Sequence, residues 1–132
     1  MKTFHRKNRG QAVIEVAFVL PLMLLVLFGI TEFGRAWATQ NILTSAAREG
    51  ARLAIVTAPD NALVTSRVTA VCTAAGVTLT GVTIVPPDPL DPERRVTVTV
   101  NCNFTILTGT MLGPFSGTIP MSASTTMRHE TM

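Results

Sequence analysis

The chain has 132 residues, a formal net charge of +3, two cysteines, one tryptophan and no tyrosine, which leaves room for one domain beside a membrane helix, not two. Its pI near 9.5 does not indicate nucleic acid as a partner. Lys2, Arg6, Lys7 and Arg9 fall in the first ten residues, the rest carries seven arginines and eight acids (7 − 8 = −1), and the aromatic stacking platforms of single-strand binders are missing.

Residues 1–10, MKTFHRKNRG, are basic and end in glycine. Residues 11–31, QAVIEVAFVLPLMLLVLFGIT, have no charge between Val16 and Thr31. As a helix these twenty-one residues span about 32 Å at 1.5 Å each, enough for a bilayer core of roughly 30 Å. Pro21 argues against a strand, and membrane helices tolerate it. Glu15 is the residue out of place, because an acid inside an apolar run is expensive and by default a functional candidate. Basic residues flanking a first apolar helix stay in the cytoplasm, so residues 40–132 are expected on the far side of the membrane, in a bacterium the periplasm. Three readings of the leader are open. It is the tail of an ordinary anchor, or the start of a secretory signal ending at Ala36–Ala38, or a prepilin leader cut after Gly10. Glu32 and Arg35 interrupt the secretory pattern. The prepilin reading leaves the apolar helix on the product, with Gln11 first and Glu15 fifth.

The helical pattern continues over residues 32–57. Ala46, Gly50 and Ala54, together with Ala47 and Ala51, recur every fourth position, which permits close approach of another backbone. Arg48, Glu49 and Arg52 lie among them and add charges one turn apart. This segment is read as a solvated helix packed on its own domain and as an interface with neighbouring subunits, two readings that are compatible. Residues 58–132 then form a small α+β domain. Asp60 or Asn61 starts a helix that Gly76 ends, with Val64, Val68, Val71, Cys72 and Ala75 on one apolar stripe. A strand over residues 77–85 changes phase at Gly81, the proline-rich residues 86–93 connect, and residues 96–106 alternate strictly. A glycine-containing loop over residues 108–117 leads to a last strand marked by Ile119, Met121, Ala123 and Met127. Cys72 and Cys102 both fall on core faces. In an oxidising compartment a disulfide is the expectation and two buried thiols the alternative. The two histidines, His5 and His129, sit at opposite ends, and neither a metal site, a cofactor, a small-molecule substrate nor an enzymatic cluster is expected.

RGQAVIEVAFVLPLMLLVLFGITEFGRAW from Arg9, followed by AAREGARLA at Ala46–Ala54, resembles the TadE-like proteins, minor pseudopilins of the Tad (Flp, type IVc) pilus system. The resemblance covers the residues from Arg9 to about Val56. It implies cleavage between Gly10 and Gln11 by a prepilin peptidase, a role for Glu15 in assembly, and location in the inner membrane with a periplasmic C-terminal part. It implies other pilins or pseudopilins and an inner-membrane assembly platform as partners. Pilins of this system commonly carry an aromatic after the early acid, where this chain has Val16. The expected fold is α+β and pilin-like: a long membrane helix running on past the membrane, a short helix and a small antiparallel sheet. A generic single-pass anchor presenting a periplasmic binding domain is the competing reading.

Overall fold

The computed structural model describes residues 9–56, 60–90, 93–112 and 117–128. One helix dominates it. Helix α1, Arg9–Val56, runs for 48 residues without a break and passes through Pro21. At 1.5 Å per residue it is about 72 Å long, more than twice a bilayer core. Helix α2 (Asn61–Ala74), strands β1 (Leu79–Val85) and β2 (Arg95–Thr105), the short helix α3 (Leu107–Leu112) and strand β3 (Thr118–Arg128) follow. The fold is α+β, as expected.

Local chemistry fixes the ends of α2. The Asp60 carboxylate accepts from the backbone N–H groups of Ala62 and Leu63 (3.1 and 3.4 Å), satisfying two of the donors a helix start leaves open. At the other end Gly76 takes a φ of +73°, the left-handed conformation that terminates a helix and favours glycine.

The three strands form an antiparallel sheet in the order β1-β2-β3. Strands β2 and β3 pair over their whole length, from Arg95↔Arg128 to Thr105↔Thr118. The β1–β2 register shifts between Leu79 and Gly81, the irregularity anticipated at Gly81. Val96, Val98, Val100, Cys102 and Phe104 of β2 are buried on one face. On the other, Thr97 and Thr126 share a hydroxyl hydrogen bond of 2.8 Å, and Thr99 donates to Ser124 at 3.1 Å. Period-two alternation thus gives one apolar face and one hydroxyl face.

The apolar face is covered by the second half of α1 together with α2. Leu43, Ala46, Ala47, Gly50, Ala51 and Ala54 follow i, i+3, i+4, i+7, i+8, i+11, and all are buried. Val64, Val68 and Cys72 of α2 complete the core. Small side chains let α1 lie close to its neighbours, and Gly50 is the tightest point. A Cβ there would stand 2.6 Å from Val68 Cγ2 and 3.2 Å from Val98 Cγ1.

One expectation changes here. The loop expected over residues 108–117 begins as helix α3, a single short element whose uncharged sequence carries no capping signal. Cys72 and Cys102 are both buried and unbridged in this structure. Both pack as small apolar side chains in the same core, where burial pushes their thiols up and Cys102 adds to the effect on Cys72.

Candidate functional site

Among the described residues, the first half of α1 joins no core. Val13, Phe18, Leu22 and Met23 are each more than 60% exposed, and the other large apolar side chains up to Ile30 are exposed too, apart from the half-buried Phe28. Large apolar side chains point in all directions, the pattern of a helix surrounded by an apolar solvent. No membrane-length window of this segment is buried inside the protein. A helix so composed and so placed fits a single-pass membrane anchor.

Along one side of it, Glu15, Val16, Val19, Leu20, Met23, Leu27 and Ile30 line a shallow groove. Their spacing of three and four places them on one face, with the acid at its N-terminal end. Glu15 is exposed. Gly10 lies in the first turn of α1, a Cβ placed on it would meet none of the described residues within 4 Å, and Gln11 is exposed beside it. Residues 1–8, which hold Lys2, Arg6 and Lys7, lie outside the described residues.

The upper limit of the apolar run is built with more care than the sequence alone discloses. Glu32 is the first charge after Glu15. One of its carboxylate oxygens accepts from both the backbone N–H (2.7 Å) and the hydroxyl (2.9 Å) of Thr108, and the other takes Arg35 at 2.8 Å. The Thr108 N–H above all holds the Glu32 carboxyl below its usual range, against the opposing effect of burial. The Arg35 guanidinium stands 5.1 Å from the centre of the Phe104 ring, a cation–π contact. Phe33 and Trp37 stack at 6.3 Å while remaining mostly exposed. Exposed aromatics just beyond an apolar span suit the headgroup level of a bilayer. Sequence reasoning passed over this cluster. The i, i+4 spacing of Phe33 and Trp37 was available to it, whereas the tie from Glu32 to Thr108 crosses 76 positions of chain and has no local trace.

The seven residues read as a helix interface divide. Ala46, Gly50, Ala51 and Ala54 are buried against this chain's own α2 and β2. Their close approach is used inside the subunit, which leaves them no surface to offer a neighbour. The Glu49 carboxylate receives Arg67 of α2 at 3.1 Å, and only Arg48 and Arg52 face outward. Within the subunit, the small residues of this stripe pack on its own core.

Comparison with known families adds the deciding observation: the family model described as TadE-like protein matches residues 10–52. That segment is TadE-like. No curated protein and no solved structure matches the chain. The TadE-like match begins at the glycine in the first turn of α1 and ends one turn before α1 does. It covers the exposed anchor, the Glu32 junction and most of the helix stripe that forms the core. The sheet lies outside it. The match and the exposed apolar helix together fit a membrane-anchored chain whose N-terminal segment is similar to the TadE-like proteins.

Proposed function

We propose that this protein is a TadE-like minor pseudopilin, processed by a prepilin peptidase after Gly10, that takes part in assembling a Tad/Flp (type IVc) pilus or a related secretion apparatus. The observation that carries the reading is the TadE-like match over a helix whose apolar span is not buried by the described residues. The anchor lies in the inner membrane with its N-terminus cytoplasmic and the α+β head in the periplasm. The basic leader sets that orientation.

The Gly10–Gln11 peptide lies in the first turn of α1, where backbone N–H groups have no intrahelical partner. Such a turn opens at small cost, and glycine leaves the peptide bond uncrowded for a peptidase. Cleavage creates an ammonium on Gln11, four residues or about 6 Å of helix from the Glu15 carboxylate. Both charges are costly in an apolar bundle, and pairing them offsets part of that cost, within one subunit or between neighbours. The groove that starts at Glu15 gives the next anchor helix an apolar face. Other pilins or pseudopilins and the inner-membrane assembly platform are the partners this implies.

N-terminal sequencing of the protein from its own membranes tests the reading. A mature chain starting at Gln11 is expected, and Gly10 replaced by a bulky residue should leave the precursor uncut. A chain starting at Thr39 would establish secretory cleavage instead, and an uncut chain would favour a generic anchor. Glu15→Ala should still be cut and inserted but should no longer co-purify with its assembly partners.

A further inference from the structure

The short helix α3 and the chain entering it lie beside the anchor at the level where the anchor is still apolar. Ile106, Thr108 and Gly109 line one side of a cleft whose other side is Leu25, Phe28, Gly29 and Glu32 of α1. Thr108 is held at the height of Glu32 by its two hydrogen bonds to that carboxylate. Phe28 and Leu25 lie four and seven residues earlier, about 6 and 10 Å further down the helix. Both belong to the uncharged run that ends at Thr31. Residues 96–127 contain no Asp, Glu, Lys or Arg, so nothing charged opposes contact of this segment with an apolar medium. Leu107 at the start of α3 is 58% exposed.

From this placement the geometry points to a second membrane contact: α3 rests in the headgroup and upper acyl region of the bilayer, beside the span and tied to it through Glu32. This rests on the reading of α1 as a membrane anchor. The occupant of the cleft and of the exposed Leu107 surface is lipid, because Leu25, Phe28 and Gly29 of the cleft continue the lipid-facing surface of the span, and the polar groups at its upper end, Glu32 and Thr108, are bonded to each other. The depth agrees with interfacial segments, which bury apolar side chains roughly 5–10 Å into this zone. The surrounding side chains suit the same level. Phe33 and Trp37 stack there, and Arg35, still half exposed, holds its guanidinium over the Phe104 ring and against Glu32 at the same level. The Glu32–Thr108 tie then sets the height of the head above the membrane, because the sheet is joined to the span at a second place besides α1 itself.

Tryptophan quenching by lipids with brominated acyl chains, in vesicles of the full chain, tests this. In a Trp37→Phe background, tryptophan is placed singly at Ile30, Leu107 or Leu90, all three exposed in the fold. Emission at Leu107 should be lost to an extent comparable with Ile30, while Leu90, in the connection between β1 and β2, keeps its emission. Quenching at Ile30 with none at Leu107 would overturn the proposal and leave the anchor standing; α3 would then face water or a protein partner. No quenching at Ile30 would remove the anchor and, with it, this contact.

Discussion

The two halves of α1 are continuous in backbone and rich in apolar residues, yet they have opposite environments. Residues 13–30 carry Leu, Val, Ile, Phe and Met around the whole circumference and bury almost none of them. Residues 43–54 carry mainly alanine and glycine on one stripe and bury that stripe completely, apart from slight exposure at Ala54. The difference shows that apolar content alone does not locate a core. Large side chains on every face need an apolar solvent on every face, which only a bilayer or a bundle of other helices supplies. Small side chains on one face need a closely approaching partner, and here α2 and β2 of the same chain are that partner. Glu32 marks the change, with Thr108 and Arg35 bound to its two oxygens.

If the halves have separate solvents, equivalent truncations must have unequal effects. Leu43 is fully buried, and Leu43→Ala should lower the stability of the head by about 2–5 kcal/mol in urea unfolding of the chain in nanodiscs. Leu22→Ala, on the lipid side, should leave the same unfolding curve within about 0.5 kcal/mol of the parent. Equal losses at the two sites would mean that the span is part of the head's cooperative unit.

A smaller effect is expected at the tightest contact. Gly50→Val must displace Val68 or Val98, and overpacking of this kind costs about 1–3 kcal/mol. The adjacent Arg48→Ala faces solvent and should change little. Thermal unfolding of the two variants compares them directly, and a silent Gly50→Val would show that α1 does not lie against α2 and β2 as closely as described.

The smallest effect belongs to the junction. The Glu32 carboxyl is lowered in the folded protein, chiefly by the Thr108 N–H. A lowered carboxyl contributes stability that is fully present above its unfolded value, about 4.3, and is lost as pH falls through the lower folded value. The stability difference between the parent and Glu32→Gln should therefore be constant at neutral pH and shrink below about pH 4.3 as the parent is protonated. A difference that does not change with pH would assign Glu32 a role in packing rather than in charge.

Much of this division was legible in the sequence because it rests on local patterns. The uncharged run from Val16 to Thr31, the cap at Asp60, the stop at Gly76 and the alternation of β2 all have causes within a few residues. The small-residue stripe was legible as a close-packing surface but not as to its partner, because spacing at Ala46, Gly50 and Ala54 says how near a neighbour comes and not which one. The Glu32–Thr108 tie and helix α3 were not legible, since the first depends on residues far apart in sequence and the second on a six-residue segment without caps. The cysteines were placed correctly on core faces, but placement on a common core does not decide between a bridge and two thiols.

The most direct measurement removes the first of the two environments. A chain lacking residues 1–30 should stay in aqueous buffer without detergent, and amides from Leu43 to Ala54 should be protected from hydrogen exchange as strongly as in the full chain in nanodiscs. That result would show a head whose core is complete without the anchor. A truncated chain that needs detergent, or whose Leu43–Ala54 amides exchange freely, would contradict the division of α1 into a lipid-facing half and a core-forming half.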